Sequence, residues 1–259
     1  RWMTIGKELS HIENAKLEDV KNFFFKHYRP INAVLVVAGN VTTEKVKALA
    51  EKWFGDIAAG EPYKRNLPQE PEQTEERRQE IKANVPLDAL YKCWHIYPRT
   101  DMRYYTADLI SEILSGGGSS RLFQSLVKEK QLFSNIECYH LGSTDAGLLT
   151  IEGKLVKGVK MEDAEAAVNE ELVKLQQEGI SQRELDKVKN KTESMIAFED
   201  MSITNRAASL AMYEQLGDAD LINKELDRYR AVTAEEIQHE SKIIFDEKNS
   251  NTLYYYSNN

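Results

Sequence analysis

With 259 residues, 41% of them hydrophobic and 29% charged, the chain has material for one large or two modest globular domains. A formal net charge of −8 and the lack of any basic helix face exclude an electrostatic nucleic-acid binder, which needs clustered Lys and Arg. The longest apolar run, Ala33-Val34-Leu35-Val36-Val37-Ala38-Gly39, is far below the roughly 20 residues that cross a bilayer, so no membrane partner is expected either.

The start, Arg1 to Glu8, has no apolar stretch of the signal-peptide kind, and a soluble chain is expected, with periplasm and cytoplasm both open. Leu17 to Tyr28 reads as a helix that Pro30 stops. Asn32 to Ala38 is a valine-rich run of the kind found in strands buried on both faces. Asn40-Val41-Thr42-Thr43 then caps a second helix, whose Val46, Leu49, Ala50, Trp53 and Phe54 form one stripe before Gly55 ends it. One strand and two helices cannot satisfy a strand's backbone or bury these faces, so residues 1–60 read as the C-terminal remnant of a preceding domain. A polar, Pro-punctuated linker is expected over residues 61–78, and one complete domain over residues 79–259.

In that domain Ile81 to Val85 and Ala89 to Tyr97 look like strands. Met102, Tyr105, Leu109 and Ile113 keep helical spacing up to a glycine corner, Ser115-Gly116-Gly117-Gly118-Ser119-Ser120-Arg121-Leu122-Phe123-Gln124. Ser119 or Ser120 is expected to cap the next helix, with Arg121 in its first turn, against the macrodipole. Spacing alone describes a helix–glycine–helix corner with a solvated arginine. The sharper reading is a bare backbone and a guanidinium fork offered to something outside the domain.

Phe133 to Leu141 and Gly147 to Val156 form a hairpin around Ser143-Thr144-Asp145. Met161, Ala164, Val168, Leu172 and Leu175 line a helix that Gly179 closes. Ser181-Gln182-Arg183-Glu184 and Thr233-Ala234-Glu235-Glu236 read as capping boxes, and Asn251 to Tyr256 as a last strand. This order implies an α+β fold, a mixed and largely antiparallel sheet with helices packed on one face. Cys93 and Cys138 fall in strands and are expected to be free buried thiols.

His11, His27, His95, His140 and His239 show no zincin spacing, since Ile243 stands where His239-Glu240 would need a second histidine. No phosphate loop, dinucleotide fingerprint or nucleophile elbow occurs. No catalytic residue and no metal ligand is assigned to the chain.

Taken together, Leu17-Glu18-Asp19-Val20, Tyr28-Arg29-Pro30, the run Ala33 to Val41, Trp53-Phe54-Gly55, Gly117-Gly118-Ser119-Ser120-Arg121-Leu122-Phe123-Gln124 and Lys128-Glu129-Lys130 carry a resemblance. The chain resembles the pitrilysin/insulinase-like zinc peptidases, the M16 family that includes mitochondrial processing peptidase and the core proteins of the bc1 complex. The resemblance implies paired α+β domains, with zinc held by a His-x-x-Glu-His motif in a different domain from this one. It implies a noncatalytic domain, inactive alone, that forms part of a peptide-binding chamber and assists a zinc-bearing M16 partner domain on the same or another polypeptide. Peptide is the implied substrate, and Gly116, Gly117, Gly118, Arg121 and Ser134 the implied contacts. The position where active relatives carry a tyrosine is Ser134, which lacks the phenol that would steady an oxyanion. The alternative is a purely structural protein of this fold, like the bc1 core proteins.

Overall fold

The sheet of the molecule is built from residues 77 to 257, where inward apolar and outward polar positions alternate along the strands. The computed structural model describes residues 8–63, 66, 68, 70–142 and 144–258. In chain order the elements are α1 (Leu9–Glu13), α2 (Leu17–His27), α3 (Thr43–Phe54), β1 (Arg77–Ala83), β2 (Ala89–Ile96) and α4 (Arg103–Ser115). They continue with β3 (Phe133–Leu141), β4 (Gly147–Leu155), α5 (Met161–Glu178), α6 (Gln182–Glu199), α7 (Ile203–Gln215), α8 (Leu221–Ala231), α9 (Ala234–Ile244) and β5 (Ser250–Ser257). A π-helical turn, Phe123–Glu129, lies between α4 and β3. The signal-peptide reading of residues 1–7, positions 64, 65, 67 and 69 of the linker, and Ser143 of the hairpin turn lie outside the described residues.

The chain divides into two compact units. One holds the described residues up to Glu70 together with Ser202–Ala219, the other Pro71–Met201 together with Asp220 onwards. The larger unit contains the sheet, in the order β1-β5-β2-β4-β3. β1 and β5 run parallel and every other pair is antiparallel, which is the mixed α+β sheet that the sequence pattern implies.

Alternation along β2 decides what the sheet covers. Leu90, Lys92, Trp94 and Ile96 are buried beneath the helices, and Tyr91, Cys93 and His95 fall on the opposite face. Leu109, Ile110, Ile113 and Leu114 of α4 and Leu149 and Ile151 of β4 are fully buried in the same core. Each such side chain contributes about 1.5–3 kcal/mol by leaving water. β1 begins at Arg77, four residues before the expected start. Parallel pairing with β5 satisfies one side of its backbone, and Arg78 gains a carboxylate partner on α5.

Two identical-looking capping sequences behave differently. Thr233 and Glu236 form the full reciprocal box at α9, with N–H···O distances of 2.8 and 3.1 Å. At α6 only half of it forms: Ser181 accepts from the Glu184 amide, but the Glu184 carboxylate turns away to Arg121. A bidentate pair with a full cation outcompetes a single bond from a backbone amide. Expected caps at Ser119 and Ser120 are also absent. Lys187 takes the Ser119 hydroxyl, and the Ser120 Oγ is buried without a hydrogen-bond partner among the described residues.

The smaller unit forms the expected α2 and α3, with Thr42 accepting from the Lys45 amide. No residue of α1, α2 or α3 is buried. The strand expected over Asn32–Ala38 does not form: Pro30–Asn32 is a 3-10 turn, and residues 33–38 have no strand partner among the described residues. A strand exists only through its neighbours' amides and carbonyls, and apolarity alone supplies none.

Candidate functional site

α4 ends because its last carbonyls are recaptured by the glycine corner: the Gly116 amide donates to Glu112 O and the Gly117 amide to Ser115 O, each at 2.7 Å. A Cβ on Gly116 would lie 2.4 Å from the Glu112 carbonyl oxygen, and Gly117 has φ +112°, so both positions require glycine. At Gly118 a Cβ would meet nothing within 4 Å. The third glycine therefore leaves the loop open to its surroundings.

One face of α6 holds this corner in place. Glu184, Lys187 and Lys191, spaced three and four residues apart, point the same way. Arg121 makes a bidentate pair with Glu184, Nε to Oε1 at 2.9 Å and Nη2 to Oε2 at 2.8 Å, and Nη2 also donates to Gly179 O at 2.9 Å. Lys187 donates to the Ser119 carbonyl at 3.3 Å and Lys191 to the Gly116 carbonyl at 3.1 Å. Gln124 closes the set by donating to Gly118 O. The bond from Glu184 raises the Arg121 pKa above its already high ordinary value, against the opposing effect of burial.

Arg121 is thus half-buried and paired with Glu184, and the solvated arginine of the spacing argument is not what forms. Among the donors left without an acceptor among the described residues are Nη1 of Arg121 and the amides of Gly118 and Ser119, two exposed residues. They suit a ligand rich in carbonyl or carboxylate oxygens. Gly116, Gly117, Gly118 and Arg121 are brought together at this corner. Ser134 is held apart on β3: it is the extra residue of a β-bulge between the Phe133–Leu155 and Asn135–Lys154 pairs, and its hydroxyl donates to Lys154 O at 3.1 Å.

Two buried polar groups escaped the sequence reading. Lys92, 3% exposed, donates to Glu165 and to Thr252, and Glu165 also receives a bidentate Arg78 and the Tyr254 hydroxyl. Burial opposes ionisation of Glu165, yet the bonds from Arg78, Lys92 and Tyr254 outweigh it and hold its pKa down at about 2. The signal was available, since alternation in β2 places Lys92 on the same face as Leu90 and Trp94. The second group is a chain from Arg99 through the Tyr104 hydroxyl and His140 to Asp108, with distances of 2.9, 2.6 and 3.0 Å. It ties α4 to β3.

The residues present do not fit a zinc ion. No three His, Cys, Asp or Glu side chains among the described residues are placed to hold a metal. His95 bonds Asn249 and His140 is tied to Tyr104 and Asp108. Burial pushes the Cys93 and Cys138 thiols up, which disfavours the thiolates that bind metal. Among the described residues no helix is long and apolar enough to cross a membrane.

The profile of the family described as peptidase M16 inactive domain matches residues 14–192. An uncharacterized zinc protease of Bacillus subtilis, YmxG, is 24% identical over 233 residues, which are 89% of this chain and 55% of that protein. A solved protease structure from Helicobacter pylori superposes with a TM-score of 0.86 at 23% identity, over 96% of this chain and 61% of that one. A chain of complex III2 from Candida albicans shares the fold with a TM-score of 0.78 at 16% identity, over 97% and 61% of the two chains. The chain therefore spans little more than half the length of these relatives.

Proposed function

We propose, from the premise that this chain belongs to the peptidase M16 inactive-domain family, that it forms part of a peptide-binding chamber and assists proteolysis by a separate zinc-bearing M16 domain. The family match over residues 14–192 carries the reading. Zinc, in this proposal, belongs to the partner domain, on the same or another polypeptide. The chain's own contribution is to bind and orient. Nη1 of Arg121 and the amides of Gly118 and Ser119 donate to main-chain carbonyls of an extended peptide, with Gly117 keeping the approach clear of side chains. The free edge of β3 offers further main-chain pairing. Ser134, already bonded to Lys154, supplies a polar contact and no phenolic donor.

Under the same proposal residues 1–60 complete a preceding M16-like domain. Support comes from the run 33–38, which has no strand partner among the described residues, and from the exposed apolar faces of α2 and α3. Residues 61–78 then link it to the domain that begins near residue 79.

The pure chain with added zinc is expected to cleave no peptide; zinc-dependent turnover by it alone would overturn the assignment. Joined to a zinc-bearing M16 domain, Arg121→Ala should lower peptide turnover at least tenfold while the thermal midpoint moves little. A second reading, a structural protein without proteolytic role, is favoured by the fold shared with the complex III2 chain and by serine at position 134. Unchanged turnover in Arg121→Ala, with the assembly intact, would select it.

A further inference from the structure

Helices of the larger unit cover one face of its sheet, and the other face carries an unusual row. Tyr91 of β2 stands opposite Glu152 of β4, and Glu152 stands opposite Glu137 of β3. Two carboxylates directly opposite each other repel. The phenols of Tyr91 and Tyr139 reach Glu152 only at 3.4 Å, long for an O–H···O bond, and Asn135 donates to Glu137 at 3.0 Å. Neither carboxylate has a cationic partner among the described residues. Lys154, two positions along β4 on the same face, pairs with neither.

On the helix-covered side three carboxylates have cationic partners. Glu165 has Arg78 and Lys92, Glu184 has Arg121, and Glu225 has Arg99. The uncompensated pair is also bordered by aromatic rings: Tyr91 and Tyr139 are half-buried, and Tyr255 meets Tyr91 edge-on with centroids 6.4 Å apart. A cation set between Glu137 and Glu152 would turn a repulsion into two charge-assisted bonds and lie against tyrosine faces, whose quadrupoles attract it.

We infer that this helix-free face docks a basic peptide segment, an extended chain whose Arg or Lys side chain is received between Glu137 and Glu152 and held against Tyr91 and Tyr139. Main-chain pairing along the β3 edge would deliver every second side chain of such a peptide to the side on which Glu137 lies. Resting on the chamber role proposed above, this assignment narrows the substrate class to cationic peptides.

The test uses the full chain and needs no zinc-bearing partner. A fluorescein-labelled octapeptide of glycine and serine with two arginines two positions apart is titrated beside the same peptide carrying citrulline, which keeps the shape and loses the charge. The arginine peptide should bind at least tenfold tighter, the advantage shrinking with added salt. It should vanish in the Glu137→Gln/Glu152→Gln variant, whose thermal midpoint should be unchanged or raised, and persist in Glu235→Gln on α9. Equal binding of the two peptides, no binding of either, or an advantage that survives in the double variant would overturn the proposal. So would self-association that the double variant abolishes, which would assign the face to a second copy. Any of these leaves the chamber role to be judged separately by turnover in the assembled enzyme.

Discussion

Residues 8–63 and the larger unit are written in the same hydrophobic code and end in opposite states. α3 carries a stripe of Leu49, Trp53 and Phe54, and α4 carries one of Leu109, Ile110, Ile113 and Leu114. α4 buries nine of its residues under a sheet, while Trp53 stands 68% exposed and Leu35 60% exposed. Amphipathic periodicity specifies which face has to be covered and says nothing about the supply of a cover. In the larger unit five strands supply it. In the smaller one the segment 33–38 finds no strand partner among the described residues.

The sharpest test of this contrast compares truncations at the two stripes. Leu109→Ala, at a fully buried site, should cost about 2–5 kcal/mol in urea denaturation, transfer and cavity terms together. Trp53→Ala removes a larger side chain and should change the unfolding free energy by no more than about 0.5 kcal/mol. A loss at Trp53 equal to that at Leu109 would break the comparison, because it would show the α3 stripe buried in solution.

Next in size is Glu165→Gln, which leaves Lys92 in the core without its carboxylate. Breaking a buried pair of this kind costs about 3–5 kcal/mol, part of which the remaining Thr252 bond to Lys92 should recover. Its pH signature has a fixed sign. Glu165 titrates at about 2 in the fold and near 4.3 unfolded. Its stabilisation is therefore complete above the unfolded value and is lost as pH falls through the folded one. Acid unfolding of the native chain between those two values should be steeper than that of Glu165→Gln. Parallel curves would mean that Glu165 is not the group that titrates there.

How much could be read in advance follows from the range over which each signal acts. The 3/4 spacing marked the buried faces of α4 and α5, because it is a property of neighbouring residues. β2 read as a strand without an orientation, because Lys92 sits among its inward positions and Tyr91 and Cys93 among its outward ones. Arg121 and its glycines stood out as a motif. Their anchorage did not, because Glu184, Lys187 and Lys191 become a site only once α6 is laid against the corner. Ser134 could not be placed either: a one-residue bulge against β4 leaves no trace in the sequence of β3. Glu184→Gln tests that anchorage. It should restore the missing half of the α6 capping box while loosening Arg121, for a net loss of about 1 kcal/mol or less in unfolding free energy.

The smallest effects separate the two regions by their helix starts. Thr233 caps α9, whose Ile237 and Ile244 are buried in the core, so fraying that end loosens tertiary contacts as well. Thr233→Ala should lower the global unfolding free energy by about 1 kcal/mol, and the midpoint with it. Thr42 makes the same kind of bond to Lys45 at α3, but that helix buries nothing, so the bond is coupled to no core. Thr42→Ala should leave the global midpoint unchanged and instead speed amide exchange in the first turn of α3. A short helix without tertiary support draws its stability from local terms alone, which makes its cap matter more to the helix and less to the protein. Should Thr42→Ala shift the midpoint as far as Thr233→Ala does, α3 would have to be part of one cooperative structure with the sheet, and the division between the two regions would fail at its weakest joint.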